Sequence, residues 1–188
     1  MTHDTIVALA VLGVVGQVLA GLLILVGLAA AAGLRAMLGT IRSALWGYEL
    51  WAAFLVAAIA TGGSLFFSEI AHFVPCELCW FQRITMYPLS IVTLLAALAG
   101  DHRVARYLLP LPLVGAGVSV YHILIENHVV GTPQACQIGI GCAVKWINEF
   151  GYMTIPTLSL TASVLLIAFL ALAAAGSGDD AATVPTDG

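Results

Sequence analysis

The sequence predicts an all-α integral membrane protein, a helical bundle in which five helices cross the bilayer. Of the 188 residues, 61% are hydrophobic and only 9% are charged, and the mean hydropathy is +1.05. A soluble domain carries about 25% charged residues. Five apolar runs each have at least the roughly 20 residues that a membrane-spanning helix needs. The formal net charge is −4 and there is no basic cluster, so nothing indicates a nucleic-acid partner.

The first apolar run covers residues 6–33 and is longer than the about 7–15 apolar residues of a secretory signal. The four residues that begin the chain, Met-Thr-His-Asp, contain no lysine or arginine. We therefore expect a retained span, and the alternative is a cleaved signal that ends near Ala29–Ala32. Residues 1–44 then comprise one N-terminal transmembrane helix and the loop that follows it.

The second and third spans are predicted at residues 45–68 and 80–99. The second begins with aromatic residues of the kind that lie at the membrane–water interface: Trp46, Tyr48 and Trp51. Pro88 falls inside the third span and removes the amide that would bond the carbonyl of Ile84, which predicts a kink.

The fourth and fifth spans are predicted at residues 105–126 and 154–175. Two early prolines bend or delay the start of the fourth, whereas Pro156 lies in the first turn of the fifth, where proline is well tolerated. Residues 176–188 are rich in Gly, Ser, Asp, Thr and Pro, which predicts a disordered tail.

The distribution of basic residues predicts the orientation. One set of helix ends carries four arginines: Arg35, Arg42, Arg103 and Arg106. The opposite ends carry Lys145 and, just below the surface, Arg83. By the positive-inside rule the arginine-rich ends are cytoplasmic. The sequence thus predicts a multi-pass protein of the cytoplasmic membrane with its N-terminus outside and its tail cytoplasmic.

The four cysteines lie in two short segments that both fall on the predicted outer side. Cys76 and Cys79 belong to a loop at residues 69–79, and Cys136 and Cys142 to a loop at 127–153. In an oxidising compartment each pair can form a disulfide. The second pair encloses five residues, two of them glycines, so its ring can turn tightly and close.

The segment after the second pair has helical periodicity. Ala143, Trp146, Ile147 and Phe150 recur at i, i+3, i+4 and i+7, which predicts a short amphipathic helix that lies in the membrane interface. The alternative is a loop that packs on the bundle, with Trp146 as its anchor.

The first pair carries the strongest indication of chemistry. If the segment is helical, Cys76, Cys79 and Arg83 share one face, with Arg83 about one turn, roughly 6 Å, deeper than Cys79. A guanidinium within the membrane is costly unless it has a task or a partner. A helix start and a cation both lower the pKa of a thiol, so we predict a redox-active dithiol at the membrane edge.

Two other interpretations of the cysteines remain open at this point. Both pairs can be structural disulfides, although this gives no reason for the buried arginine. Alternatively, all four cysteines can hold zinc, although the five-residue spacing of the second pair and oxidising surroundings argue against it.

Two further polar residues are candidates for the site. Gln82 precedes Arg83 and can donate to a carbonyl, although solvent exposure or helix packing explains it equally well. His122 ends the fourth span, where it can contact a bound cofactor or relay a proton, although an interfacial role is more common at such positions.

The sequence resembles a known family at two places. Residues 76–89, Cys-Glu-Leu-Cys-Trp-Phe-Gln-Arg-Ile-Thr-Met-Tyr-Pro-Leu, resemble the first-loop signature of the DsbB/BdbC disulfide-bond formation proteins. The later Cys-x5-Cys and residues 150–160, Phe-Gly-Tyr-Met-Thr-Ile-Pro-Thr-Leu-Ser-Leu, are similar to the short-loop, BdbC-like branch. The resemblance covers residues 45–175 and implies a four-helix DsbB-like core, to which residues 1–44 add one helix of unassigned role.

The resemblance implies a quinone-dependent thiol oxidase, a protein-disulfide oxidoreductase. A reduced DsbA-like thioredoxin-fold partner outside the membrane would attack the Cys136–Cys142 disulfide at Cys136, and Cys76–Cys79 would reoxidise that pair. Cys79 would form an adduct or charge-transfer complex with ubiquinone or menaquinone from the membrane pool. Arg83 would stabilise the developing negative charge. Further contacts to the quinone are expected from Gln82 and His122.

Two alternative functions follow from the same observations. A vitamin-K-epoxide-reductase-like enzyme also couples cysteine pairs to a quinone, but its redox pair lies late in the fold and lacks the Trp-x-Gln-Arg sequence. A non-enzymatic membrane scaffold with two structural disulfides is the alternative from another class.

Overall fold

The computed structural model describes residues 2–33, 39, 47–137 and 141–182. Six α-helices follow one another in these ranges: α1 (Thr2–Ala31), α2 (Glu49–Leu65), α3 (Glu77–Ala99), α4 (Ala105–Leu108), α5 (Pro110–Glu126) and α6 (Ile155–Ala182). Shorter helical turns adjoin them, namely a π-helical turn at Phe66–Ile70 and 3-10 turns at His102–Val104 and Gln134–Gln137.

The predicted all-α membrane bundle is confirmed. Five helical stretches are long and apolar enough to cross a membrane: Thr2–Ala31, Glu49–Ile70, Glu77–Ala99, His102–Glu126 and Ile155–Ala175. The described residues also contain an isolated antiparallel β-bridge between Glu149 and Met153.

The third span begins three residues earlier than predicted. Cys76 has an extended backbone, and its Sγ accepts the backbone N–H of Cys79 at 3.4 Å. A side-chain acceptor at this position satisfies one of the unpaired amides of the first turn, so the helix starts directly after Cys76. The helix α3 then continues through Pro88 to Ala99, and the kink at Pro88 stays a prediction.

The last helix is longer than predicted. α6 continues to Ala182, so the prediction of disorder from residue 176 is wrong for the first seven residues of the tail. Alanines before and within this stretch have the highest helix propensity and prolong the helix beyond the apolar span. Residues 183–188 lie outside the described ranges.

The amphipathic helix predicted after Cys142 is also wrong. Glu149 and Met153 pair across a turn in which Phe150 and Gly151 have φ of 55° and 77°. A helix of about two turns has little stability of its own, so tertiary packing decides the conformation. Trp146 stacks on Phe73 with 5.0 Å between ring centroids. The segment is therefore a loop that packs on the bundle with Trp146 as its anchor, which is the alternative interpretation.

The core of the bundle surrounds α6. Its fully buried side chains come from α2, α3 and α6 and include Leu50, Leu89, Leu166 and Leu170. α1 packs against α6, and a Cβ added at Gly13 would overlap the side chain of Leu158. Glycine thus allows the two helices to approach closely here.

The two cysteine segments lie at the same end of the bundle, because they flank the start of α3 and the end of α5. Arg103 lies at the opposite end, in the turn after α3. Arg35 and Arg42, on which the predicted orientation also depends, lie outside the described residues. The side of the membrane that each end faces therefore stays a prediction.

Candidate functional site

The first cysteine pair forms a close dithiol at the start of α3. Cys76 and Cys79 are free, and their Sγ atoms lie 2.8 Å apart. Although Cys76 precedes the helix, its capping geometry turns the sulfur toward that of Cys79. Cys76 is buried and Cys79 is partly exposed, so the two sulfurs have different surroundings.

The second pair is a disulfide that packs beside Cys76. Cys136 and Cys142 are bonded, with 5.3 Å between their Cα atoms. Both are buried, and they share one apolar cluster with Cys76, Leu78 and Ile125. The structure therefore brings together all four cysteines that the sequence singled out.

His122 lies between the two pairs. Its Nε2 donates to the carbonyl oxygen of Cys142 at 3.0 Å and lies 3.7 Å from Sγ of Cys76. The side chain is only 2% exposed, and its Nδ1 has no partner among the described residues. Of the two roles expected from the sequence, this position suits a proton relay at the sulfurs.

The reduced pair favours a thiolate on Cys76. The hydrogen bond from the Cys79 thiol, and then the hydrogen bond and charge of His122, lower the pKa of Cys76 from 9.0 to about 4, against the opposing effect of burial. A thiolate accepts hydrogen bonds better than a thiol, so donors around it favour ionisation. The sequence predicted that the helix start would act on both thiols and Arg83 on Cys79, and it gave no indication that His122 lies beside Cys76.

Arg83 projects from the other side of Cys79 toward α2. Its Nε donates to Oγ of Ser64 at 3.0 Å and its Nη2 to the carbonyl of Ser64 at 3.1 Å. Its Cζ also lies 5.3 Å from the ring centroid of Trp80, and the hydroxyl of Tyr87 donates to the same Ser64 Oγ at 3.3 Å. Nothing in the sequence indicated that Ser64 would contact Arg83.

An apolar cavity of about 270 Å³ opens beside Cys79 and Arg83. It lies between α1, α2, α3 and α6, and its few polar wall residues are Ser64, Cys79, Gln82, Arg83, Tyr87, Ser159 and Thr161. Such a site suits a mostly apolar ligand with a small polar part.

Gln82 and His122 have different relations to this cavity. Gln82 contributes to the wall, but it is buried and its Nε2 donates to Ser119 Oγ at 3.2 Å. His122 instead lines a small crevice with Cys76 and Glu126. The expected contact between His122 and a cofactor stays a prediction, and its nearest polar neighbours are the cysteines.

The cysteine cluster contains three potential metal ligands in the described residues. The ligand atoms of Cys76, Cys79 and His122 lie within 4.8 Å of one another. The four-cysteine zinc site left open by the sequence is wrong for this structure, because Cys136 and Cys142 are bonded to each other. The Nε2 of His122 donates its hydrogen to the carbonyl of Cys142. A nitrogen that carries a hydrogen has no lone pair to offer a metal ion, so this hydrogen bond disfavours metal binding through Nε2.

The family follows from comparison with known proteins. The model of the family described as "Disulfide bond formation protein DsbB" matches residues 48–176. The chain belongs to this family. Its match begins just before α2 and includes both cysteine pairs and Arg83. α1 lies outside it. Membership removes the vitamin-K-epoxide-reductase-like alternative.

Named relatives agree with this assignment. The chain is 48% identical to "Disulfide bond formation protein C" of Bacillus subtilis over 125 residues, which cover 65% of this chain and 90% of the relative. It is 43% identical to the "Probable disulfide formation protein" of Deinococcus radiodurans over 133 residues, 65% of this chain and 86% of the relative. No solved structure matches the chain significantly.

Proposed function

We propose that this protein is a membrane thiol oxidase that takes electrons from a reduced, extracytoplasmic DsbA-like thioredoxin-fold protein and delivers them to a membrane quinone. One observation carries the proposal: the first pair connects the second disulfide with the apolar cavity. Cys76 and Cys79 both pack in the cluster that contains the Cys136–Cys142 disulfide, and Cys79 also lies in the wall of the apolar cavity with Arg83.

The first step is exchange with the partner. A partner thiolate attacks Sγ of Cys136, the Cys136–Cys142 bond breaks, and its electron pair goes to the Cys142 sulfur. The second thiol of the partner then attacks the mixed disulfide, so the partner leaves oxidised and Cys136 and Cys142 become thiols. This order rests on the family resemblance.

The second step is exchange between the two pairs. The thiols of Cys136 and Cys142 reduce the disulfide form of Cys76–Cys79, and the electrons come to rest on the first pair. The packing of Cys76 with both later cysteines supports this route. His122 can hold or move the proton that the exchange requires, because its Nε2 lies 3.7 Å from the Cys76 sulfur.

The residues of the cavity fit a quinone ring. Its walls are mainly apolar, and the guanidinium of Arg83 is oriented by Ser64 while Cys79 offers a sulfur beside it. When bound, the quinone supplies a two-electron acceptor that is soluble in the bilayer. Arg83 would stabilise negative charge on that acceptor, because a fixed cation acts strongly where water is excluded. Gln82 would contribute to the wall next to it.

A protein that oxidises a DsbA-like partner must itself be a strong oxidant. DsbA-like proteins have reduction potentials of about −120 mV, and 30 mV corresponds to about 1.4 kcal/mol for two electrons. A pair whose thiolate is stabilised has a more stable reduced form and is a stronger oxidant. The hydrogen bonds that lower the pKa of Cys76 therefore favour the uptake of electrons by the first pair.

Trapping tests the order of transfer. Cys142→Ser leaves Cys136 as a lone thiol that can attack the disulfide of an oxidised partner, and the sulfur that would displace the partner from Cys136 is absent, so we expect the partner to accumulate as a mixed disulfide on Cys136. Cys136→Ser is the matched control and should trap little partner. Peptide mapping that finds the partner on Cys79 would reverse the order.

Labelling tests the predicted orientation. In intact cells, a membrane-impermeant thiol reagent should modify a single cysteine placed at Val129, which is 67% exposed and lies in the second cysteine segment, as the positive-inside rule predicts. A single cysteine placed at Arg103, at the opposite end of the bundle, should react only after the membrane is permeabilised. The reverse pattern would place both cysteine pairs in the cytosol and contradict the proposal.

A further inference from the structure

The N-terminal helix α1 forms one wall of the cavity that contains Cys79 and Arg83. The residues that it contributes are Leu9, Leu12, Gly13, Val15, Gly16 and Leu19. The family match begins at residue 48, so this wall comes from outside the matched region. A helix that lies outside the region matched by the family model thus borders the proposed site of electron transfer.

α1 is attached to the bundle through α6. A Cβ at Gly13 would overlap Leu158, and one at Gly16 would lie 3.1 Å from Cγ2 of Thr161. Nearby, the hydroxyl of Tyr152 donates to Oε1 of Gln17 at 3.0 Å. These contacts fix α1 on the side of α6, while its neighbouring face borders the cavity.

Across the cavity, α1 faces α2. The two helices approach at one level, where a Cβ at Gly63 would lie 3.5 Å from Cδ2 of Leu9. This is also the level of Ser64, the residue that holds Arg83. The part of the cavity near Leu9 is therefore next to the polar residues of the proposed ring site.

Away from that level the cavity becomes apolar. Leu19 is ten residues beyond Leu9 in α1, about 15 Å along the axis, and Val56 is eight residues before Ser64 in α2, about 12 Å. Both line the cavity, together with Leu165 of α6. The cavity thus has a polar part at Cys79 and Arg83 and an elongated apolar part between α1 and α2.

We propose that this apolar part holds the isoprenoid tail of the quinone, and that α1 thereby selects for long-tailed quinones. The inference rests on the proposed function, because the ring site defines which end of the ligand lies where. A molecule with a polar ring and a long apolar chain matches both parts of the cavity. Leu12, Val15 and Leu19 would contact the chain.

A matched pair of variants tests the kinetic consequence. Leu19 borders the cavity, whereas Val18 is 60% exposed and is not part of its wall. Leu19→Trp should raise the KM for a long-tailed quinone by about tenfold, since it displaces apolar contacts, and should change the KM for the same ring without a tail by less than about twofold. Val18→Trp should change neither. Equal effects on both quinones, or equal effects of both variants, would overturn the proposal.

Photochemical crosslinking gives a readout that does not depend on turnover. A long-tailed quinone with a diazirine in its tail should label the peptide that contains Leu12 to Leu19, and excess unlabelled long-tailed quinone should prevent this. Labelling confined to other helices would overturn the role of α1. Labelling of the same peptide by a diazirine phospholipid that quinone does not displace would assign the space to lipid.

The same experiments separate this inference from the proposed function. If the protein reduces quinones but shows no dependence on the tail, the role of α1 is wrong and the oxidase activity stands. If it reduces no quinone of either kind and binds none near Cys79, the proposed function itself is wrong.

Discussion

The two sulfurs of the first pair are 2.8 Å apart and both pack in the cluster of the second disulfide, but only Cys79 of the pair also lines the apolar cavity. The region around Cys76 is buried and contains His122 and the second disulfide. The region around Cys79 opens into an apolar cavity with Arg83 held by Ser64. One turn of helix therefore separates a site suited to thiol exchange from a site suited to electron transfer into the membrane.

This contrast explains why the short Cys-x2-Cys spacing matters. Cys76 occupies the cap position and lies in the buried cluster with the second disulfide, and Cys79, in the first helical turn, also reaches the wall of the apolar cavity. Each sulfur can then be adjusted by its own neighbours, a histidine on one side and an arginine on the other. Substitutions on the two sides should accordingly have separable effects.

The largest effect should come from loss of the sulfur that connects the two regions. Cys79→Ser should abolish oxidation of a DsbA-like partner by quinone, while thermal stability changes little because the serine is close in size. Activity and the midpoint of thermal unfolding would be measured together. A non-enzymatic scaffold instead predicts a lower unfolding temperature and no catalytic activity in either form.

The next effect should be confined to the cavity side. Arg83→Gln should lower kcat/KM for the quinone by about 10²–10³, because it removes a fixed cation from a site with little water. Formation of the mixed disulfide with the partner should be unchanged. Arg103→Gln, an exposed arginine at the other end of the bundle, is the control and should behave like wild type. Equal losses of activity and protein abundance in the Arg83 variant would indicate a structural role.

A substitution beside Cys76 should affect the thiol chemistry and leave the use of quinone unchanged. His122→Gln keeps a donor for the Cys142 carbonyl but removes the imidazole that lowers the pKa of Cys76, so that pKa should rise. The ultraviolet absorption of the thiolate, titrated with pH in the reduced protein, measures this directly. The KM for quinone should be unchanged, and a change in KM without a shift of the titration would place His122 in the quinone site.

The lowered pKa of Cys76 also predicts how stability depends on pH. Between about 4 and 9.0 the folded state holds a thiolate at Cys76, whereas the unfolded state holds a thiol. The unfolded state binds more protons in this window, so the stability of the reduced protein rises with pH. Thermal unfolding of reduced protein from pH 5 to pH 8 should show this slope, and Cys76→Ser should flatten it. The same slope in both proteins would refute the assignment.

The smallest effect should come from the residue that orients Arg83. Ser64→Ala removes one acceptor but leaves the backbone carbonyl that binds Nη2. A loss of about 1 kcal/mol, or roughly fivefold in kcat/KM for quinone, is expected from one hydrogen bond to a charged group. Tyr87→Phe, which removes the hydroxyl that donates to the same Ser64, tests whether the effect belongs to the arginine. A larger loss in Tyr87→Phe than in Ser64→Ala would contradict it.

The sequence predicted those parts of the molecule that depend on local pattern. Length and hydropathy predicted five spans, and the helix start with Arg83 one turn below predicted the dithiol. The wrong prediction for the segment after Cys142 depends on a tertiary contact. The segment after Cys142 has helical periodicity, but stacking of Trp146 on Phe73 determines a different conformation.

The contents of the site were predictable to different degrees. Cys79 and Arg83 are four residues apart on one helix, so their proximity follows from helical geometry. The approach of His122 to Cys76, the role of Ser64 and the wall formed by α1 each join elements that are distant in sequence. Nothing in the local pattern indicates such contacts, because they arise from the packing of whole helices.

The most direct test of the central claim is anaerobic mixing of reduced protein with quinone, followed by absorption of the quinone and by counting of free thiols. The account predicts that one quinone is reduced for each pair of thiols lost, that Cys79→Ser stops both changes, and that Arg83→Gln slows both. Quinone reduction that continues in the Cys79 variant, or loss of thiols in wild type without quinone reduction, would contradict it.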